Sequence, residues 1–169
     1  MPNGNFQIRP ARAADLPRLP AIEAEAAQRF VEAGLFNATD VTGTLPVAFL
    51  EQCRVFVADV EDAPVGFAAT QDIDEFCHLH EIDVLTAYGG QGVGRALMAA
   101  VIDDARARGK LAVTLSTFRD VAWNGPFYAR LGFEAVSPVA LGAPYTAFRQ
   151  KEVEAGLDIS ARDLMMLAF

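Results

Sequence analysis

The segment with the clearest chemistry is a glycine-rich run at residues 89–94, which apolar residues at helical spacing follow. A strand pattern that ends at Val84 precedes it. A glycine turn between a strand and a helix places unpaired backbone N–H groups at the positive end of the helix dipole. Arg95, in the first helical turn, can add a charge-assisted hydrogen bond. The sequence therefore predicts a loop that binds phosphate or pyrophosphate.

Two common phosphate loops do not fit this run. The P-loop spacing is present from Gly89 to Gly94, but Arg95 and Ala96 stand where Lys and Ser or Thr are required. An alanine side chain cannot hold Mg²⁺, so a nucleoside triphosphatase is disfavoured. The dinucleotide fingerprint G-x-G-x-x-G fails in both frames because neither ends on glycine.

A third loop type matches. Gly92 and Gly94 fit the pattern Q/R-x-x-G-x-G/A, and Pro126–Phe133 has the form F-Y-x-x-x-G-F at its core. These two segments resemble the coenzyme A pyrophosphate loop and a downstream motif of the GNAT superfamily of N-acetyltransferases. Gly89 departs from the pattern, because the family has Gln or Arg there. The order of elements over residues 6–169 is also similar to the family, so the resemblance covers nearly the whole chain.

The resemblance implies acetyl-CoA as the cosubstrate. The residues that it places against coenzyme A are Ile82, Asp83, Val84, Gly89, Gly90, Gln91, Gly92, Val93, Gly94, Arg95, Ala96, Asn124, Phe127 and Tyr128. No metal is predicted, because His78 and His80 are the two histidines of the chain and no metal-ligand spacing completes a set around them.

Acyl transfer from a thioester to an amine needs three groups: a base, a donor to the developing oxyanion and an acid for the leaving thiolate. Tyr128 occupies the position of the tyrosine acid in the similar enzymes, and its phenol can protonate the sulfur. The resemblance implies that the strand at residues 77–84 splays from its neighbour and leaves main-chain groups unpaired. The N–H of Val84 is therefore the first candidate for the oxyanion donor.

The candidates for the base are Glu81, His80 and His78, which lie on the same predicted strand. Strand alternation places Glu81 and Asp83 on one face and the two histidines on the other. Histidine has a suitable intrinsic pKa, whereas a glutamate needs burial or a like charge nearby. Glu81 is favoured, and proton removal through a water chain stays open as an alternative.

Asn124 has two interpretations. Similar enzymes often carry an asparagine about seven residues before the tyrosine, in contact with pantetheine, but that position here is Val121. Asn124 lies four residues before Tyr128 and can instead cap the short helix that Pro126 opens.

The elements that must position these residues can be predicted from periodicity and turn residues. Strands are expected at 6–9, 55–58, 65–70, 77–84, 111–115, 133–136 and 163–169, and helices at 15–32, 45–52, 93–108, 124–132 and 144–155. A turn is expected at Asp62–Pro64. Together with the resemblance, this predicts one α/β (α+β-like) domain over residues 1–169, with a mixed, mostly antiparallel sheet of about seven strands flanked by helices.

Composition limits the partners. The chain of 169 residues is 52% hydrophobic and carries a net charge of −8, which disfavours nucleic acid. No apolar run is long enough to span a bilayer, and no export signal is apparent at the start. Cys53 and Cys77 are expected as reduced thiols in the cytoplasm.

The resulting hypothesis is an acetyl-CoA-dependent N-acetyltransferase. It passes the acetyl group directly to a primary amine of a small molecule or peptide, without a covalent enzyme intermediate. Asp72, Asp74, Glu75 and Glu81 lie near the strand that should border the acceptor cleft and favour a cationic acceptor. An excess of acidic residues is equally typical of a soluble surface. The alternative is a non-catalytic module that binds acyl-CoA as a sensor. Either a monomer or a homodimer is compatible with the sequence.

Overall fold

The computed structural model describes residues 5–35 and 43–169. Residues 1–4, on which the expected lack of an export signal partly depends, lie outside the described residues. The described strands are β1 Gln7–Pro10, β2 Arg54–Val60, β3 Ala63–Ile73, β4 Phe76–Val84, β5 Ala112–Phe118, β6 Glu134–Ala135 and β7 Arg162–Ala168. The described α-helices are α1 Leu19–Glu32, α2 Val47–Leu50, α3 Val93–Ala107, α4 Gly125–Arg130 and α5 Ala143–Glu154. No helix in these ranges has the length and apolar character that crossing a membrane requires.

The strands form one sheet in the order β1-β2-β3-β4-β5-β7-β6. Antiparallel ladders join β1 to β2, β2 to β3, β5 to β7 and β6 to β7. A parallel ladder joins β4 to β5, and α3 is the crossover between them, as expected for a helix between two strand patterns. The seven-stranded, mostly antiparallel sheet with its helices confirms the predicted fold class.

The chain forms two compact units. The first contains the chain up to Gln71 together with Glu81–Asp103, and the second contains Asp72–His80 together with Asp104–Phe169. The division falls within β4, so His80 belongs to the second unit and Glu81 to the first. The single domain over residues 1–169 stays a prediction.

The core of the first unit is built on one face of β2 and β3. Val57 lies opposite Phe67, and Val55 lies opposite Ala69. Because side chains alternate along a strand, these four odd-numbered residues point to the same face. They pack with apolar side chains of the helices, namely Leu19 and Ile22 of α1 and Leu50 of α2.

The turn between β2 and β3 differs from the prediction. It lies at Glu61 and Asp62, whose φ angles are 51° and 62°, and not at Asp62–Pro64. A two-residue turn with both φ angles positive matches the twist of the flanking strands. Pro64 lies within β3, opposite Asp59, where the register shifts and a residue without an N–H is tolerated.

The predicted helix at residues 15–32 is divided in two. A 3₁₀ turn covers Leu16–Arg18, and α1 begins at Leu19. Pro20 has no N–H, and in a continuous α-helix its ring would clash with the carbonyl of residue 16. The α-helix therefore begins at Leu19, the residue immediately before this proline.

In the second unit, β5 is central. It pairs with β7 along its whole length, from Ala112 to Phe118. Val113 and Leu115 of β5 are buried, as is Phe133 beyond α4. A side chain at Gly125 would have its Cβ 2.4 Å from the Arg119 carbonyl oxygen, so α4 can begin this close to the end of β5 because its first residue is glycine.

Candidate active site

The glycine-rich loop joins β4 to α3 in the first unit. Gly90 and Gly92 have φ angles of 71° and 86°, in the left-handed region that side-chain-bearing residues rarely adopt. A Cβ atom at either glycine would contact nothing within 4 Å, so backbone conformation and not crowding requires glycine there. Gln91 Nε2 donates to the Ala87 carbonyl at 2.9 Å and fixes the turn.

The N-terminus of α3 presents N–H groups that the helix does not use. The N–H of Ala96 donates to the Gly92 carbonyl at 3.0 Å. The N–H groups of Val93, Gly94 and Arg95 precede it, so they have no acceptor inside the helix. Buried Val93 and Leu97 anchor this helix end to the core. The arrangement is the backbone geometry that an anion site requires.

The end of β4 is held close to β3. A Cβ atom at Gly66 would lie 2.8 Å from the carbonyl oxygen of Asp83, and the N–H of Leu85 donates to the Val65 carbonyl at 2.9 Å. Successive N–H groups of a strand point to opposite edges. The bond from Leu85 to β3 therefore directs the N–H of Val84 to the other edge of β4.

Three carboxylates meet where β4 faces α1. Glu81 and Asp83 share a strand face, as alternation predicts, and Glu23 comes from α1. Burial and the negative charges of Glu81 and Glu23 raise the pKa of Asp83 well above its usual value, against the opposing charge of Arg29. Asp83 Oδ2 is buried and has no hydrogen-bond partner among the described residues. Asp83 is therefore held in its protonated form to a higher pH than an exposed aspartate.

The other two carboxylates are hydrogen-bonded to main-chain donors. Glu23 Oε2 accepts from the N–H of Leu45 at 2.8 Å, and burial raises its pKa. Glu81 Oε1 accepts from the N–H of Ile82 at 3.3 Å. Glu23 is a site residue that the sequence did not single out, since a glutamate on a helix without a motif resembles any solvent-facing charge.

The histidines lie in the second unit, on the opposite face of β4. His78 Nδ1 lies 2.9 Å from Thr114 Oγ1, which in turn lies 2.6 Å from Tyr145 Oη. The His78 ring also packs against the rings of His80 and Phe148, at centroid distances of 5.0 and 4.4 Å. This is a buried polar chain within an aromatic cluster.

Burial determines the protonation of both histidines. It lowers the pKa of His78 well below its usual value, with a further contribution from His80, and lowers the pKa of His80 to about 4. Both rings are neutral near pH 7 and are weak proton acceptors. Among residues 5–35 and 43–169, no group of histidine, cysteine and carboxylate side chains could hold a metal ion.

Tyr128 lies on α4, also in the second unit, and is 6% exposed. Its ring packs edge-on against Phe127 and Phe133, at centroid distances of 5.2 and 5.8 Å. Asn124 is the residue before α4, but its side chain makes no capping hydrogen bond. Its main-chain carbonyl accepts from the Tyr128 N–H at 3.0 Å, so the capping interpretation of the Asn124 side chain is wrong.

The acidic residues that suggested a cationic acceptor are not all available. Asp72 lies 2.9 Å from Arg108 Nη1 and 2.7 Å from Lys110 Nζ, so two cations balance its charge. Asp74 forms the turn between β3 and β4, with a φ angle of 57°. Of the four predicted acids, Glu81 alone takes part in the carboxylate group described above.

Comparison with known proteins identifies the family of the chain. The family model described as the acetyltransferase (GNAT) family matches residues 19–133, which is more than half of the chain. The chain belongs to the GNAT acetyltransferase family. The match contains both the glycine-rich loop and Tyr128, and it confirms the resemblance stated from the sequence.

Relatives of this GNAT-family protein include an uncharacterized N-acetyltransferase of Methanocaldococcus jannaschii, 36% identical over 86 residues, which are 47% of this chain and 38% of that protein. The chain thus matches well under half of that relative's length. The paia N-acetyltransferase of Thermoplasma acidophilum in complex with coenzyme A has a TM-score of 0.75, 15% identity and coverage of 97% of this chain and 99% of that one. The ribosomal-protein-S18-alanine N-acetyltransferase of Escherichia coli has a TM-score of 0.67, 20% identity and coverage of 96% and 93%.

Gly66 and Gly125 are two positions that sequence reasoning missed, although a glycine inside a strand pattern often marks a close backbone approach. Both glycines adjoin segments that carry predicted site residues. Gly66 lies beside Asp83 and Val84 in the first unit, and Gly125 begins the helix of Tyr128 in the second.

Proposed function

We propose that this GNAT-family protein is an acetyl-CoA-dependent N-acetyltransferase that passes the acetyl group directly from the thioester to a primary amine. The observation that carries the proposal is the glycine-rich loop before α3. Two left-handed glycines and three first-turn N–H groups outside the helix ladder form a main-chain site for a diphosphate. Coenzyme A carries such a diphosphate, and a solved structure of the same fold is a coenzyme A complex.

The proposed coenzyme A contacts follow from this loop and from the predicted site residues. Val93, Gly94 and Arg95 donate main-chain N–H groups, and Gly89, Gly90, Gln91, Gly92 and Ala96 shape the turn. Ile82, Asp83 and Val84 follow the pantetheine arm along β4. Asn124, Phe127 and Tyr128 complete the proposed set, and Asn124 is favoured as a contact because its side chain does not cap α4.

Glu81 is the proposed base. The two histidines are weak candidates, because burial lowers the pKa of His80 to about 4 and lowers the pKa of His78 well below its usual value. Two nearby carboxyl groups in a buried site do not readily carry two charges. Asp83 keeps its proton to a higher pH than an exposed aspartate. Glu81, on the same strand face, is the carboxylate proposed to accept a proton from the amine.

Val84 and Tyr128 supply the other two proposed groups. The amine nitrogen attacks the thioester carbon, and the N–H of Val84 donates to the oxygen that gains negative charge. The carbon–sulfur bond then breaks, and the phenol of Tyr128 gives its proton to the departing thiolate. The products are an N-acetyl amide and free coenzyme A, with no acyl group attached to the protein. Exchange with solvent then removes the proton from Glu81 and returns one to the Tyr128 phenolate.

A small molecule or a peptide that presents a cationic amine is the proposed acceptor. Glu23 and Glu81 place negative charge beside Asp83 in the first unit, and the whole chain has a charge of −8. A substrate ammonium is attracted to such a field before it loses its proton. We further propose a monomer or homodimer in the cytoplasm, where the free thiols of Cys53 and Cys77 would stay reduced.

A coenzyme A release assay tests this function. The protein is supplied with acetyl-CoA and a panel of polyamines, amino acids, aminoglycosides and peptide N-termini, and free thiol is measured with each. We expect amine-dependent release for at least one acceptor and a loss of about 10²-fold or more in kcat for Glu81→Gln. Tight binding of acetyl-CoA with no release for any amine would favour a non-catalytic sensor instead.

A further inference from the structure

The second unit contains a cavity that the acetyl-transfer chemistry does not use. It has a volume of about 340 Å³ and lies where β5 ends and β7 begins. Three arginines line it, namely Arg119, Arg149 and Arg162, and the one carboxylate in its lining is Asp163. Glu152, just outside the lining, bonds to two of these arginines. The three arginines and the two carboxylates bonded to them therefore carry one net positive charge, in a chain whose overall charge is −8.

Two of the guanidinium groups are held in fixed positions. Arg149 Nη2 donates to the carbonyls of Ile159 and Arg162, at 3.2 and 2.7 Å. Arg162 Nη2 donates to the Ser116 carbonyl at 2.8 Å, and its guanidinium carbon lies 4.7 Å from the Phe118 ring centroid. Their side chains are 17% and 14% exposed, so both cations are mostly shielded from water.

Two carboxylates bond to the three arginines. Glu152 is shared, with oxygens 2.7 Å from Arg149 Nη1 and 3.6 Å from Arg162 Nε. Asp163 pairs with Arg119 Nη2 at 2.7 Å. Asp120 and Asp158 are nearby in sequence but exposed, so water screens their charges. Glu152 thus bonds to both of the mostly buried guanidinium groups.

Arg119 also has N–H donors that its hydrogen bonds to the described residues do not use. Its Nε and Nη2 bond to Asp163, and its Nη1 donates to the Ser160 carbonyl at 3.1 Å. A guanidinium group has five N–H donors. Two of them therefore have no partner among the described residues, and the side chain is 47% exposed at the cavity mouth.

We propose that this cavity binds a phosphate group of a small molecule. Planar guanidinium groups bind tetrahedral and planar oxyanions through paired N–H donors. A phosphate monoester carries close to two negative charges at pH 7, so a cluster with net positive charge attracts it more strongly than it attracts a monocarboxylate, which carries one. The site is separate from the coenzyme A loop in sequence and in residue set, and it does not depend on the proposed enzyme activity.

The test is a titration of the full chain with inorganic phosphate, followed by backbone amide chemical shifts at constant ionic strength. We expect saturable shifts at Ser137, Ser160 and Asp163, weaker effects with acetate, and none of these shifts with chloride. Shifts confined to Gly90 and Gly92 would show binding at the glycine-rich loop only and would overturn the cavity site without affecting the enzyme proposal.

Three variants test whether the cavity residues bind the phosphate. Arg119→Gln should weaken phosphate binding by about tenfold, the effect of losing one charge-assisted hydrogen bond. Asp163→Asn removes the opposing lining charge and should tighten binding. Arg12→Gln is the matched control, because Arg12 also forms an exposed ion pair, with Asp62, away from the cavity. Unchanged affinity in both cavity variants, or equal weakening by Arg12→Gln, would overturn the proposal.

Discussion

A Cβ atom at Gly66 of β3 would lie 2.8 Å from the carbonyl oxygen of Asp83 on β4. Real side chains do not tolerate that distance to backbone, so any residue other than glycine must push the two strands apart. The same Cβ atom would lie 3.2 Å from the side chain of Val84, the proposed oxyanion donor. The geometry at the end of β4 therefore depends on a glycine in the neighbouring strand.

Gly66→Ala tests this dependence. We expect it to lower the free energy of unfolding by about 1–3 kcal/mol, the range for overpacking a filled site, and to reduce acetyl transfer. Urea denaturation and the coenzyme A release assay measure the two effects. Gly43→Ala is the control, because a Cβ atom there meets nothing within 4 Å. Equal stability of the two variants would show that β3 and β4 separate without cost.

Gly92→Ala tests the loop conformation. The φ angle of 86° at Gly92 disfavours a side chain by about 1–2 kcal/mol, and a turn that relaxes would lose its aligned N–H groups. We expect weaker coenzyme A binding by calorimetry, together with a modest loss of stability. Gly34→Ala, at a φ angle of 69° with equally open surroundings, should cost similar stability and leave coenzyme A affinity unchanged. If both variants lose affinity for coenzyme A, reduced stability and not the conformation of the loop explains the weaker binding.

Tyr128→Phe separates chemistry from packing. The phenyl ring keeps its contacts with Phe127 and Phe133, so stability and coenzyme A binding should persist while kcat falls by about 10²-fold or more. Tyr145→Phe is the matched control. It loses the hydroxyl that pairs with Thr114, at a cost of about 1 kcal/mol in stability, without a loss of turnover. Full activity of Tyr128→Phe would remove its assigned role as the acid.

The raised pKa of Asp83 predicts how the stability of the fold depends on pH. Its pKa is raised in the folded chain, so between its unfolded and folded pKa values the folded state binds more protons than the unfolded state. The free energy of unfolding should therefore fall as pH rises from about 4 through the folded pKa of Asp83. Asp83→Asn cannot ionise, so its stability should decline less over that interval. Parallel urea melts of the two proteins at several pH values measure the difference, and identical slopes would contradict it.

Features of the fold that depend on residues close together in the sequence could be predicted, and those that depend on contacts between distant residues could not. The strand and helix patterns, the parallel pairing of β4 and β5 and the glycine-rich loop follow from periodicity and turn residues that lie close together in sequence. The position of the β2–β3 turn and the division of the first helix depend on single residues such as Pro64 and Pro20, which shift boundaries by local sterics.

The rest of the candidate site depends on contacts between distant residues. Glu23 joins Asp83 because α1 packs beside β4, and Asp72 is neutralised by Arg108 and Lys110, which follow it by more than thirty positions. The low pKa of His80 comes from burial that no local pattern reveals. The sequence favours Glu81 over the histidines without the burial that weakens them as acceptors, and the role of Glu81 as the base stays a prediction.

The most direct measurement is a crystal structure of the protein bound to acetyl-CoA. We expect the diphosphate oxygens to accept hydrogen bonds from the main-chain N–H groups of Val93, Gly94 and Arg95, and the thioester oxygen to accept from that of Val84. A diphosphate bound at any other surface, with those first-turn donors exposed to solvent, would contradict the account.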